Sequence, residues 1–172
     1  ATRLGLGDWP RVAEELIIQR DVMLNQSVGC RYHVQHLSSA GSVEIIRAAR
    51  KTGQPVTAEA SPHHLLLTED GCAAYDPNYK MNPPLRAKAD IKALLKGIKD
   101  GTITILATDH APHTKQDKEL DFASAAFGIV GLDSALGLYA KALIESGTID
   151  WPQMIAMMTA NPAELCSLTD KG

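Results

Sequence analysis

The residues best suited to chemistry in this 172-residue chain are a carboxylate and several imidazoles placed where apolar runs end. The stretch "TITILATDHAPH" (102–113) carries an apolar run into Asp109, His110 and His113, and a second run, "RYHVQH", ends on His36. A carboxylate at the end of a buried strand is costly unless a cation or hydrogen bonds compensate it. A divalent metal is one such partner, and a histidine nitrogen is a suitable second ligand. A carboxylate beside that ion can also take a proton from water that the ion has acidified. On this reading His36 and Asp109 are candidate metal ligands and Asp109 is the candidate base. Each has a plainer reading too: His36 as a hydrogen-bonded strand-end residue, Asp109 as an Asx-type cap of the following turn. His63 and His64 read as ordinary polar residues at a strand end. "NPPLR" (82–86) reads as a rigid proline turn begun by Asn82.

Strands must position these groups, and side chains alternate along a strand. Tyr32, Val34 and His36 therefore share one face, opposite His33 and Gln35, while Ile103, Ile105, Ala107 and Asp109 share a face of the other strand. Both candidates are expected to extend the apolar face of their strands, at the mouth of a barrel interior. A third strand is read at "PVTAEAS" (55–61).

Helices separate the strands. "RVAEELIIQRDVMLNQSVG" starts behind Pro10 with Ala13, Leu16, Ile17 and Leu24 expected inward, and stops at Gly29. "SVEIIRAARKTG" turns Val43, Ile46 and Ala49 inward, and "AKADIKALLKGIKDG" places Ile91, Leu94, Leu95 and Ile98 on one stripe. The end of the chain reads as helix at 132–147, helix behind an Asp150 cap, and a short turn after Pro162. Strands alternating with helices argue for parallel βαβ units, yet a (β/α)8 barrel takes about 250 residues. The expected fold is thus α/β, part of a TIM-like (β/α)8 barrel, as a single domain over 1–172 that is truncated at both ends. Two long irregular segments, 68–86 and 111–128, interrupt it. Loops of that length in a compact α/β domain are more often functional than idle, and the second follows a strand, where such folds keep their sites.

Composition excludes several classes. Net charge of −3 gives no basic footprint for nucleic acid. No apolar run approaches the ~20 residues of a membrane span, and the N-terminus shows no signal pattern. Cys30, Cys72 and Cys166 stand in no metal or redox spacing and suit a reducing cytoplasm.

The motifs "HVQHLSSAGSVEIIRAA", "VTAEASPHHLLLTED", "DPNYKMNPPLR", "ILATDHAPHT" and "AFGIVGLDSALGL" occur in that order. Together the chain resembles class I dihydroorotase, of the amidohydrolase superfamily, across essentially its whole length, with "KMNPPLR" and "ATDHAPH" the most specific parts. The resemblance implies a place for the chain around barrel strands six to eight. It implies that His36 is the strand-six metal ligand and that Asp109 is the strand-eight aspartate that binds metal and moves the proton. It matches Asn82 and His113 to positions that contact the substrate's ring and carboxylate, and Phe127 and Gly128 to a pair whose backbone closes over the ring. Residue 126 is Ala where the family usually has Pro. The implied activity is the reversible hydrolysis of L-dihydroorotate to N-carbamoyl-L-aspartate in pyrimidine biosynthesis. The implied cofactor is Zn2+, one or two ions per complete site, and the implied partners are a second copy of the chain or an aspartate transcarbamoylase.

The family's first-strand H-x-H pair, its lysine or aspartate ligand and its strand-five histidine have no counterpart in this sequence. One His and one Asp are too few for a tetrahedral zinc site, so the 172-residue chain alone is expected to bind zinc weakly and to be inactive. Two further readings stand beside this one: a hydantoinase or allantoinase type of cyclic amidohydrolase, and a non-catalytic dihydroorotase-like structural subunit.

Overall fold

The computed structural model describes residues 4–172; residues 1–3, which open "ATRLGLGDW", lie outside the described residues. Helix α1 (Arg11–Val28) is closed by Gly29, whose left-handed φ of 66° lets its N–H return to the Asn25 carbonyl. There follow β1 (Tyr32–Val34), α2 (Ala40–Lys51), β2 (Val56–Ala60) and α3 (Pro62–Leu66). After an irregular segment with two short 3-10 turns come α4 (Lys88–Lys99), β3 (Ile105–Leu106) and α5 (Lys115–Lys118). Helix α6 (Ala135–Tyr139) runs into a π-helical turn, Ala140–Ile144, before α7 (Trp151–Met158) and α8 (Ala160–Leu165). The Asp150 carboxylate caps α7 by accepting from the Gln153 N–H. The expected turn after Pro162 is instead part of α8, because a proline in the first helical turn gives up an N–H that has no partner there.

Among the described residues the three strands form one parallel sheet in the order β1-β2-β3. Tyr32 lies opposite Val56, and Ala60 opposite Leu106. Val56, Ala58 and Ala60 of β2 are buried in one apolar cluster with Val43, Ile46 and Ala49 of α2 and Leu94 and Ile98 of α4. Burying each large side chain of this kind contributes about 1.5–3 kcal/mol. Tyr139, fully buried, places its hydroxyl between the Ala60 and Ala107 carbonyls, at 2.8 and 2.7 Å.

Two expectations are corrected. Helix α1 buries Ile18, Val22 and Asn25, while Leu16, Ile17 and Leu24 are exposed. The helix is apolar on more than one side, so periodicity could not choose the packed face. Strands β1 and β2 are also sided the other way round: their apolar face lies under the helices and the opposite face is polar. In β3, by contrast, Ile105 pairs with Glu59 and shares that opposite face, as expected. There the His33 imidazole lies 2.8 Å from Thr57 Oγ1 and 2.9 Å from Glu59 Oε2. Thr57 and Glu59 alternate with the buried Val56, Ala58 and Ala60, so a barrel built this way faces its interior with the polar set.

Candidate active site

His36 and Asp109 leave their strands through left-handed turns, not along the pleat. His36 has φ of 32° and Asp109 φ of 47°, beyond the ends of β1 and β3. Side chains other than glycine hold such conformations at a cost of about 1–3 kcal/mol, and mostly where surrounding contacts impose them. At His36 the contacts are visible. The His36 N–H donates to Glu59 Oε1 at 3.2 Å and the Leu37 N–H to the Glu59 carbonyl at 3.0 Å. From the other side the Glu14 carboxylate accepts from the Ser38 and Ser39 amides, both at 3.2 Å, and from the Ser42 hydroxyl at 2.6 Å. Strand alternation therefore does not aim the His36 and Asp109 side chains, because the backbone has already turned at both positions.

His63 and His64 are not plain strand-end residues. They lie in α3, 5 % and 2 % exposed, and form a directed hydrogen-bond chain. His64 Nε2 lies 2.9 Å from the Pro83 carbonyl, so it carries the proton and donates. His64 Nδ1 must then accept from the Ser61 hydroxyl at 2.6 Å, and Ser61 Oγ accepts from His63 Nε2 at 3.0 Å. Burial, with His64 alongside, pushes His63 down to about 3, although Asp109 opposes the shift; burial pushes His64 down to about 4, with the Pro83 carbonyl opposing. Both rings are neutral at neutral pH. The 3.8 Å approach of His63 Nε2 to Asp109 Oδ2 is therefore neither an ion pair nor a hydrogen bond. It does bring Asp109 to the end of a chain that begins beside Asn82.

The four substrate positions read from the sequence lie on two joined loops. His113 Nε2 donates to the Phe127 carbonyl at 2.8 Å. The Gly128 N–H donates to the Lys80 carbonyl at 2.9 Å, two residues before the half-buried Asn82. Only glycine fits at 128: its φ is 128°, and a Cβ there would stand 2.8 Å from Ala111 Cβ and 3.1 Å from His113 Nε2. Ala126, the departure from the family pattern, uses the N–H that proline would lack, donating to the Asp117 carbonyl at 3.1 Å. With Nε2 committed to Phe127, His113 keeps Nδ1 for a ligand. His110 serves the backbone, its Nδ1 accepting from the Gly131 and Leu132 amides, both at 3.1 Å.

The residues present fit part of a metal site. His36 Nδ1 is buried without a hydrogen-bond partner among the described residues. Such an atom is rare unless something binds it. The Asp109 carboxylate, 31 % exposed, lies beside the neutral His63. An imidazole nitrogen and a carboxylate suit zinc. Among the described residues, no three His, Cys, Asp or Glu side chains come together to hold an ion. Glu59 and Ser61, which orient the site, escaped the sequence reading. The alternation in "VTAEAS" carried the signal, because a Glu between buried alanines must have a partner.

The arc of parallel strands with helices on one face is that of a partial α/β barrel. Residues 14–172 match the amidohydrolase family model, and the chain belongs to that family. It is 49 % identical over 172 residues to a dihydroorotase of Streptomyces coelicolor, covering all of this chain and 40 % of that protein. It is 50 % identical over 169 residues to a dihydroorotase of Leifsonia xyli, covering 98 % of this chain and 39 % of the relative. The chain thus spans about two fifths of the length of these relatives. Among solved structures, the L-hydantoinase (dihydropyrimidinase) of Arthrobacter aurescens superposes with a TM-score of 0.87 at 30 % identity, covering 94 % of this chain and 36 % of that one. A dihydropyrimidinase of Brevibacillus agri gives a TM-score of 0.87 at 24 % identity over the same shares, which shows the fold alone.

Proposed function

We propose that this chain forms part of a dihydroorotase, acting with the rest of a barrel in the reversible hydrolysis of L-dihydroorotate to N-carbamoyl-L-aspartate in pyrimidine biosynthesis. The observation that carries the reading is the approach of Asp109 to His63, with His36 on a left-handed turn held by Glu59, beside the loops that bear Asn82, His113, Phe127 and Gly128. The identity of 49–50 % to named dihydroorotases supports it.

His36 and Asp109 would hold a zinc ion, one of the one or two in a complete site. Such an ion, when bound, supplies Lewis acidity to the ring amide carbonyl and acidifies water. Asp109, partly open to solvent, takes the proton from the attacking water and passes it to the departing ring nitrogen. Asn82 and His113 receive the ring and its carboxylate, and the Phe127–Gly128 backbone covers the ring. Residues 1–172 are read as one partial-barrel domain. The apolar stripe Leu16, Met23 and Leu24, exposed on α1, offers a surface to the rest of the barrel, to a second copy or to a transcarbamoylase partner. Among the described residues no helix is long and apolar enough to cross a membrane, and the free thiols Cys30, Cys72 and Cys166 support a cytoplasmic setting.

The fit to the Arthrobacter enzyme favours a hydantoinase as the second reading. Joining this chain to the upstream barrel half of the Streptomyces coelicolor relative, loading zinc, and assaying dihydroorotate against hydantoins separates the two. Preferred turnover of dihydroorotate is expected; preferred turnover of a hydantoin overturns the proposal. The 172-residue chain alone is expected to show negligible turnover.

A further inference from the structure

We propose that Lys118 is a positioning residue for substrate binding: its ammonium fixes the backbone of the Phe127–Gly128 loop, and so sets the affinity for the cyclic amide. The inference rests on the reading above in that this loop meets the substrate.

The Lys118 ammonium lies 2.7 Å from the Pro77 carbonyl, 3.0 Å from that of Ala126 and 3.0 Å from that of Gly128. An ammonium has three protons to donate, and all three go to backbone carbonyls. Two of those carbonyls flank Phe127. The carbonyl between them, that of Phe127, accepts from His113 Nε2. Three successive carbonyls of the loop, 126 to 128, are thus each held by a side chain from segment 113–118. The third contact, to Pro77, ties this loop to the one that carries Asn82. Lys80 returns the stitch, donating to the Ala123 and Ala125 carbonyls at 2.8 and 2.6 Å.

Lys118 is itself fixed. It ends the short helix α5, whose start is closed by reciprocal bonds between Thr114 and Asp117, with Thr114 Oγ1 donating to Asp117 Oδ2 at 2.6 Å. The main chain of Asp117 in turn accepts the Ala126 N–H. A side chain whose protons all go to main-chain oxygens on both sides of a loop acts as a template for that loop. It does not steer ligands by free charge. Neutralising it while keeping its length should release the loop without disturbing the sheet.

The test compares wild type, Lys118→Met and Lys118→Arg. In this chain, amide hydrogen exchange of Ala126 and Gly128 should rise at least tenfold in K118M, while Thr104 and Ala107, bonded to β2, stay protected. In the joined barrel described above, K118M should raise KM for dihydroorotate about tenfold and change kcat less than threefold. K118R should resemble K118M, because a planar guanidinium cannot meet three carbonyls from one point. Unchanged exchange in K118M overturns the proposal. Faster exchange with unchanged KM also overturns it, since the lysine then only braces the loop. Full recovery in K118R overturns it in favour of charge alone. If the wild-type joined barrel prefers a hydantoin, the dihydroorotase reading fails, and the same KM comparison on that hydantoin decides the role of Lys118.

Discussion

The two faces of β2 are built from opposite chemistry. Towards the helices it presents Val56, Ala58 and Ala60 to Ile46, Val43 and Leu94, all but fully buried and without a polar side-chain atom. Away from them it presents Thr57 and Glu59, which hold the His33 ring and the His36 turn. The first face supplies cohesion through area removed from water. The second supplies little cohesion and instead spends hydrogen bonds on holding the His33 ring and the left-handed turn at His36. A change on one face should therefore show in folding, and on the other in chemistry.

The sharpest way to break that division is Asp109→Asn in the joined barrel. Turnover of dihydroorotate should fall about a thousandfold, as expected on losing a general base, with unfolding free energy changed by less than about 0.5 kcal/mol. A large loss of stability in urea titration would show that the two faces are not separable. The converse is Ile46→Ala, fully buried beneath the sheet. It should cost about 2–5 kcal/mol in the same titration and leave zinc affinity per folded molecule unchanged.

Acid sharpens the comparison from a third direction. Folded His64 is pushed down to about 4 from an ordinary 6.5, so between those values the unfolded chain binds a proton that the folded chain refuses. Its contribution is whole above pH 6.5 and drains away as pH falls towards 4, by roughly 3 kcal/mol. Urea midpoints measured from pH 7 to 4 should show this slope added to a like one from His63, and His64→Gln should remove about half of the total. The smallest effect is expected on neither face. Asp150→Ala removes the cap of α7 and should cost about 1 kcal/mol, read as a lower thermal midpoint with unaltered zinc binding.

The helices α2 and α4 were legible because their apolar residues repeat on a single stripe. The strands were legible as elements, but their sidedness was not. In "TITILATD" and "RYHVQH" alternation alone cannot say which face meets helices, and it cannot show that the backbone turns left-handed at His36 and Asp109. The candidate residues surfaced because Asp and His at strand ends are costly without partners. Their supports stayed hidden, because Glu14, Glu59 and Lys118 act on residues 8 to 41 positions away. No local pattern records such distant pairings.

Tyr139 spans a gap that the ladder hardly closes. β2 and β3 share only the pairs Glu59 with Ile105 and Ala60 with Leu106, and just past them one phenolic oxygen bridges the carbonyls of Ala60 and Ala107. The width between the segment leading to Ser61 and the segment leading to Asp109 is gauged by that crossbar. A residue of α6 thus fixes the spacing of two strand ends to which it does not belong.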